Sequence, residues 1–114
     1  MISGAHVVIY SRDAKADREF FRNVLKFNHI DAGDGWLIFA LPQTELAIHP
    51  SKGDDSHGFF LMCDDLGATI KALKERKVKC SVPSEQTWGT IVMITLPSGS
   101  EIGIYQPKHK LAHH

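Results

Sequence analysis

Two carboxylates, Glu45 and Glu101, stand at equivalent points of two similar stretches, LPQTELAIHP (41–50) and LPSGSEIGIYQP (96–107). Each stretch reads Leu-Pro, a short polar turn, glutamate, an aliphatic residue, a very small residue and isoleucine. A glutamate at the start of a strand can act as a general base, or it can be a solvated carboxylate with no chemical role. The chain has no glycine-rich phosphate loop, no GxSxG elbow and no cysteine near a histidine at a helix start, so nucleophilic catalysis has no candidate.

The small residues at the centre of this repeat, Ala47 and Gly103, share a strand face with the two glutamates. Side chains alternate between the two faces of a strand, so residues two positions apart point the same way. His49 and Tyr105 lie two positions further along and therefore face the same side. The repeat predicts two equivalent strands, each with a polar start and a small residue at its centre.

The elements that position these residues follow one order in both halves of the chain. In the first half, the alternating stretch AHVVIYS predicts a strand over 5–11, Asp13 is placed to cap the following helix, and FNHID, WLIFALP and ELAIHP predict three more strands. The second half repeats the order with HGFFLMCD, a helix capped by Asp64 or Asp65, and then VKCSV, GTIVMITLP and EIGIYQP. The sequence therefore predicts a duplicated βαβββ unit.

The repeat predicts one domain over residues 1–114, with module one at 1–50, a linker at 51–56, module two at 57–107 and a C-terminal tail at 108–114. One βαβββ unit cannot cover both faces of its own sheet, so the two units must pair. His113 and His114 end the chain and are predicted to be either a fraying tail or an expression remnant.

Composition limits the class of partner. Lys+Arg and Asp+Glu both count 13 in 114 residues, so long-range attraction to nucleic acid or to an anionic membrane is not expected. No signal peptide and no apolar run near the ~20 residues of a membrane span is visible. Cys63 and Cys80 form no CxxC motif and predict a reducing compartment. We therefore expect a cytoplasmic protein with a small-molecule partner.

Three fragments give the chain a family likeness: AHVVIYSRD with FFRNVLKF, CDDLGATIKALKERKV, and Trp88-Gly89 followed by LPSGSEIGIYQP. In this order, from His6 to Pro107, they resemble the vicinal oxygen chelate superfamily, which includes glyoxalase I, extradiol dioxygenases, fosfomycin-modifying enzymes and bleomycin-resistance proteins. The resemblance implies an α+β fold in which two tandem βαβββ modules form curled mixed sheets around a cavity. It also implies a homodimer with pockets at or near the subunit interface.

In the enzymes of that superfamily, a divalent metal is held by four side chains, one from the first strand and one from the last strand of each module. The position in the first strand of module one matches His6. The other three positions fall on Gly58, which follows His57, and on Ala47 and Gly103. The resemblance therefore implies a degenerate metal site, and the small residues predict a cavity that is wider where the metal would be.

The leading hypothesis is a protein that binds an apolar or aromatic small molecule without a catalytic metal or other cofactor. Trp36 and Trp88 each offer a flat apolar face, although either could equally be a core residue. Phe60 and Met62 share the strand face of Gly58. The predicted ligand-binding residues are His6, Trp36, Ala47, Phe60, Met62, Trp88, Gly103 and Tyr105.

Two enzymatic alternatives remain open at the level of sequence. The first is a metal-dependent lyase or dioxygenase in which His6, Glu45, His57 and Glu101 hold zinc, nickel, iron or manganese. A shift of two positions along a strand moves a side chain by ~6.6 Å, which argues against this relocated set. The second is a metal-free isomerase or epimerase in which His6 and a carboxylate act as general base and acid.

Overall fold

The computed structural model of the protein describes residues 6–45, 47, 49–50, 53 and 57–113. Module two forms a four-stranded sheet and one helix, in the predicted βαβββ order. Its elements are β3 (Phe60–Met62), α2 (Leu66–Glu75), β4 (Ser84–Gln86), β5 (Gly89–Thr95) and β6 (Glu101–Pro107). The strand order is β3-β6-β5-β4, in which β3 runs parallel to β6 and the other pairs are antiparallel. The chain runs from β3 through α2, β4 and β5 before it reaches β6, and this long connection is the crossover that parallel pairing requires.

Helix α2 begins where its sequence predicts. The carboxylate of Asp65 accepts a hydrogen bond from the backbone N–H of Ala68 at 3.0 Å, which assigns the cap to Asp65 rather than Asp64. Leu66 and Leu73 are buried on the face that covers the sheet. Lys77 takes a positive φ of 62° directly after the helix, and this left-handed residue ends it.

The predicted strand VKCSV (78–82) is only partly formed, and the strand that pairs continuously with β5 begins after it, at Ser84. Cys80 makes an isolated bridge with Ile94, whereas the β4 ladder begins at Ser84. Pro83 separates the two stretches, and a proline has no N–H to donate to a ladder. The pairing with β5 is therefore interrupted at Pro83 instead of continuing through 78–82.

Module one has the predicted helix α1 (Ala14–Asn23) and a hairpin of β1 (His29–Asp31) and β2 (Leu37–Phe39). Asp13 caps α1 by accepting from the backbone N–H of Ala16 at 3.1 Å. In the hairpin turn, the two carboxylate oxygens of Asp31 accept from the backbone N–H groups of Gly33 and Gly35 at 2.8 and 3.2 Å. These glycines have φ values of +133° and +81°, which other residues adopt only with strain.

The outer strands predicted for module one are not found in the described part of the chain. Residues 6–11 belong to no strand, and Val8 and Tyr10 are 54% and 91% exposed. In the predicted last strand, Glu45, Ala47 and His49 are described and belong to no strand, while Leu46 and Ile48 lie outside the described residues. An alternating pattern shows that a segment is able to form a strand. It does not ensure that another strand lies beside the segment to form hydrogen bonds with it.

The two halves of the chain share one hydrophobic core. Helix α1 contributes Phe20 and Phe21, and the remaining members come from module two: Leu66, Leu73, Val78, Val92, Ile94, Leu96, Ile102 and Ile104. A buried polar contact joins the halves as well, because Asp17 Oδ1 accepts from the backbone N–H of Ser98 at 3.0 Å. Helix α1 is therefore held against module two by packing and by a hydrogen bond. No helix in the described ranges has the length and apolar character needed to span a membrane.

Candidate functional site

The sheet of module two has one face on the core and one open face. Gln106 points to the core side, because its Oε1 accepts from the backbone N–H of Leu66 at the start of α2, at 2.8 Å. Strand alternation then places Tyr105 and Gly103 on the open face. Phe60 and Met62 of β3 pair in register with Gly103 and Tyr105 and are 42% and 36% exposed. The open face of the sheet is therefore apolar and aromatic.

Three rings form a continuous group on this face, called here the aromatic cluster: Phe60, Trp88 and Tyr105. The ring of Tyr105 lies at the centre, with its centroid 6.1 Å from that of Phe60 and 5.6 Å from that of Trp88. The interplanar angles of 89° and 77° are edge-to-face arrangements. Trp88 is 37% exposed, so this tryptophan lies at the candidate site rather than in the core.

Gly103 has a different role from the one its sequence position suggests. A Cβ atom built on Gly103 would overlap the ring of Phe60, and one built on Gly58 would lie 3.0 Å from Cε2 of the same ring. The small residue at 103 therefore does not widen the cavity. It admits the Phe60 ring, which fills the space above the sheet at this point.

The metal that the family resemblance implies has no matching donor set in the described residues. His6, His57 and Glu101 are exposed, and no group of three or more His, Cys, Asp or Glu side chains among these residues is placed to hold an ion. The positions of Gly58 and Gly103, from which module two would offer ligands, both face the Phe60 ring. The residues present do not fit a metal centre of the superfamily type.

A cavity of about 550 Å³ lies beside the aromatic cluster, between module two and the end of module one. Met62 belongs both to the open sheet face and to the wall of this cavity. The lining residues are Pro42, Gln43, Glu45, Met62, Cys63, Asp64, Gln106, Pro107, His109, Leu111 and His113. The sequence predicted a cavity, but of the residues predicted to bind a ligand only Met62 lines this one, and the lining residues from the tail carry no sequence motif that would have identified them.

The C-terminal segment, residues 108–113, is attached to both modules and is not the free tail that we predicted. At one end, the backbone N–H of Lys108 donates to the carbonyl oxygen of Trp88 at 2.9 Å. At the other end, the backbone N–H of Ala112 donates to Glu45 Oε2 at 2.5 Å, and His113 Nε2 lies 2.9 Å from the carbonyl oxygen of Thr44. Glu45, predicted as a metal ligand or a solvated carboxylate, is therefore a binding partner of this segment.

Two ionisable groups next to the cavity are held in their neutral forms. Burial, and secondarily the charge of Glu45, raise the pKa of Tyr105, so the phenol remains a hydrogen-bond donor at pH values where an exposed tyrosine would ionise. Burial is also the main cause that raises the pKa of Cys63, whose Sγ lies 3.7 Å from the Tyr105 carbonyl oxygen. A thiol with a raised pKa is a poor nucleophile, which agrees with the absence of a nucleophile motif.

Other residues predicted for the site lie elsewhere in the fold. Trp36 is 63% exposed in the turn between β1 and β2, and its ring lies under the guanidinium of Arg18, with Cζ 4.7 Å from the ring centroid. Ala47 is exposed, and His6 lies at the start of the exposed segment 6–10. The structure thus brings together Phe60, Met62, Trp88, Gly103 and Tyr105 but not Trp36, Ala47 or His6.

Comparison with solved structures places this architecture among known proteins. The chain is 28% identical to TnmS3, an antibiotic binding protein from Streptomyces sp. CB03234, over 95% of this chain and 100% of that one, with a TM-score of 0.65. Lactoylglutathione lyase from Agrobacterium tumefaciens is 15% identical over 91% and 92% of the two chains, with a TM-score of 0.67. A superfamily member from Sphaerobacter thermophilus DSM 20745 is 22% identical over 92% and 98%, with a TM-score of 0.62. The last two likenesses concern the fold alone.

No curated protein sequence matches the chain significantly. A family model, described as Glyoxalase/Bleomycin resistance protein/Dioxygenase superfamily, matches residues 4–104, which is most of the 114-residue chain. The chain has a mixed α+β fold in which each module has one sheet and one helix. This is the fold class that the sequence resemblance implied. The chain therefore belongs to the Glyoxalase/Bleomycin resistance protein/Dioxygenase superfamily.

Proposed function

We propose that the protein binds a small organic molecule with a planar aromatic part, and that it does so without a catalytic metal. The observation that carries this proposal is the aromatic cluster on the open sheet face, where Phe60 and Trp88 keep 42% and 37% of their surface exposed. Each ring left in water loses the stabilisation that burial would give it. A planar ligand stacked on the cluster would recover that energy and would add ring contacts of about 0.5–1.5 kcal/mol each.

The adjoining cavity supports the same function by its size and its lining. Its volume of about 550 Å³ lies within the range of about 300–1,000 Å³ that is usual for small-molecule sites. Met62, Pro107 and Leu111 make part of its wall apolar, while Gln106 and Glu45 supply polar groups. A ligand could place its aromatic part on the cluster and extend a polar substituent into the cavity.

The comparison with TnmS3 supports a binding rather than a catalytic role. That protein is described as antibiotic binding, and it is 28% identical to this chain over nearly the full length of both. The metal-free part of the proposal rests on the Phe60 ring, which faces the Gly58 and Gly103 positions at once. A lyase or dioxygenase would need His6, Glu45, His57 and Glu101 to converge, and an epimerase would need His6 beside a carboxylate.

A thermal-shift series with planar aromatic probes, such as acridine, anthraquinone and naphthalene derivatives, tests the binding function. A probe at about 100 times its Kd is expected to stabilise the fold by about 2.7 kcal/mol, and the shift should grow with probe concentration. Trp88→Ala is expected to lower the affinity about tenfold through the loss of one stacking ring. Trp36→Ala is the matched control, because it removes the other tryptophan, which lies away from the cluster.

A flat response across the probe panel would contradict the binding function, and equal losses in the two tryptophan variants would contradict the assigned site. Elemental analysis of untagged protein purified without chelator tests the metal-free part. Stoichiometric zinc, nickel, iron or manganese that is lost in His6→Ala would overturn it and would favour the lyase or dioxygenase alternative.

A homodimer is the second part of the proposal. The segment 6–10 contains Val7, Val8 and Tyr10, which are 50%, 54% and 91% exposed, and its alternating sequence is typical of a strand. A second copy of the chain could cover these side chains. Light scattering at micromolar concentration is expected to give the dimer mass. Val8→Asp should shift that mass toward the monomer, whereas Val82→Asp, at a site that is 86% exposed in module two, should not.

We also propose a cytoplasmic location. Cys63 and Cys80 are both free thiols, and free thiols persist in reducing compartments. Fractionation of cells that express the protein tests this location, and recovery of the protein with oxidised cysteines outside the cytoplasm would contradict it.

A further inference from the structure

We infer that the C-terminal segment, residues 108–113, is a strap that controls access to the cavity, with Glu45 as its latch. This inference rests on the proposed binding function, since it describes the regulation of the same site. The strap crosses from the end of β6 in module two to the end of module one, and the cavity lies between these two points. His109, Leu111 and His113 of the strap form part of the cavity wall.

The first anchor of the strap is on module two and is firm. Lys108 donates its backbone N–H to the carbonyl oxygen of Trp88 at 2.9 Å, which continues the β5–β6 ladder by one bond. Its ammonium lies 2.5 Å from Glu85 Oε2 and 3.3 Å from the carbonyl oxygen of Gln86. This end is therefore attached by both backbone and side chain and serves as the hinge side.

The second anchor is on module one and is made mainly by one side chain, that of Glu45. The carboxylate of Glu45 accepts the backbone N–H of Ala112 at 2.5 Å, and its other oxygen lies 3.9 Å from Nε2 of His109. His113 adds a contact of 2.9 Å to the carbonyl oxygen of Thr44. Only 16% of the Glu45 side chain is exposed, so its charge is directed toward the strap and the cavity.

The strap also contacts the aromatic cluster. The ring of His109 lies 6.2 Å from that of Tyr105, centroid to centroid, so the strap borders the proposed stacking surface. Between its two anchors the segment is exposed, and Leu111 keeps 46% of its surface in contact with solvent. A segment held by two anchors with little burial between them opens by losing the weaker anchor. Release at Glu45 would uncover the cavity while Lys108 stays in place.

Cys63 provides a measure of opening that needs no ligand. Cys63 is one of the residues that line the cavity, and its side chain packs against the hydrophobic core beneath it, whereas Cys80 lies outside the cavity and forms an isolated backbone β-bridge with Ile94. Alkylation of the full-length protein by iodoacetamide, quantified at each cysteine by mass spectrometry, therefore compares access to the cavity with access elsewhere. Both thiols have pKa values raised by burial, so the comparison is made at one fixed pH.

Glu45→Ala removes the latch, and Ala112→Pro removes the N–H that the latch accepts. Each variant is expected to raise the alkylation rate of Cys63 roughly tenfold while that of Cys80 changes less than about twofold, because one or two hydrogen bonds hold the closed state. Glu45→Gln keeps an acceptor for Ala112 and should restore most of the protection. Ala112→Gly and Glu101→Ala are matched controls that leave the latch intact.

An unchanged Cys63 rate in both Glu45→Ala and Ala112→Pro would overturn the strap, and so would an equal rise at both cysteines, which would indicate general loosening. The probe titrations of the binding function are a separate measurement. If the probes bind and the Cys63 rates do not respond, the strap is wrong and the binding function stands. If the rates respond and no probe binds, the strap stands as a gate and the proposed function fails.

Discussion

Module one and module two share a sequence pattern but differ in how much of it becomes a sheet. Module two forms four paired strands, and Val92 and Ile94 in its central strand β5 are 0% exposed. Module one pairs only β1 with β2 in the described residues, and its valine-rich first segment stays exposed. A strand needs a neighbour to satisfy its backbone groups, so the same pattern gives different structures where different neighbours are offered.

The largest expected contrast is in stability. Ile94→Ala in module two should lower the free energy of unfolding by about 2–5 kcal/mol, because it leaves a cavity in the shared core. Val8→Ala in module one should cost less than about 0.5 kcal/mol in the monomer, since Val8 is 54% exposed. Urea unfolding of both variants at low protein concentration measures the difference. A large cost for Val8→Ala would show that the first segment is buried in solution, as it would be in a dimer.

Gly103 and Ala47 occupy equivalent positions of the two modules, and substitutions at these positions should differ in their effect on the free energy of unfolding. Gly103→Ala should destabilise the protein by about 1–3 kcal/mol, because its Cβ meets the Phe60 ring. Ala47→Ser, at the equivalent position of module one, should change stability by no more than about 0.5 kcal/mol, since Ala47 is exposed. The measurement is again urea unfolding.

The double variant Phe60→Ala/Gly103→Ala serves as the control for that contrast. If the ring is the cause, the two changes together should cost less than the sum of the single changes, because the smaller side chain relieves the overlap. Strict additivity would show that Gly103 is needed for some other reason.

The helix caps are expected to be alike, in contrast to the sheets. Asp13→Ala and Asp65→Ala each remove one carboxylate that accepts a backbone N–H, at 3.1 and 3.0 Å, and each should cost about 1 kcal/mol. Asp→Asn at either position keeps an acceptor and should cost less. Thermal unfolding compares the four variants, and a cap that matters in only one module would show that the two helices differ in stability.

The smallest expected effect is electrostatic and links the end of module one to the aromatic cluster. The negative charge of Glu45 contributes to the raised pKa of Tyr105. Glu45→Gln removes that charge, so the pKa of Tyr105 should fall toward its ordinary value while burial keeps it raised. Ultraviolet titration of the phenol measures the change. A pKa that is unaffected by Glu45→Gln would separate the two groups and would argue against the placement of Glu45 beside the site.

Much of the local structure could be predicted because it depends on neighbours in the chain. The cap at Asp13, the cap of α2 at one of Asp64 and Asp65, the turn at Gly33 and Gly35, and the order of elements along module two all follow from short-range chemistry. The strand after Pro83 was missed, because the alternation of VKCSV favoured a strand at 78–82 whereas the ladder with β5 forms at Ser84–Gln86. The predicted first strand of module one was wrong for the described residues 6–11. Alternation alone does not determine which strand a segment pairs with.

The candidate site was only half predicted, for a reason that Gly103 illustrates. Its position on the open face of β6 followed from strand periodicity, but its purpose depended on the ring of a residue 43 positions earlier, Phe60, which pairs with it in register. The strap was not predicted at all, because the contact of Ala112 with Glu45 joins residues 67 positions apart. No local pattern carries information about such a pair.

The sequence by itself determined the family, the βαβββ order of module two, both helices and the cap of α1, and it named Phe60, Trp88 and Tyr105 as candidates for the site. These depend on periodicity and on interactions within a few residues. The tertiary structure decided that Phe60 covers Gly58 and Gly103, that Glu45 holds the C-terminal segment, and that module one leaves its first segment exposed. Such features depend on which distant surfaces meet, and that is set by the packing of the whole core and not by any segment alone.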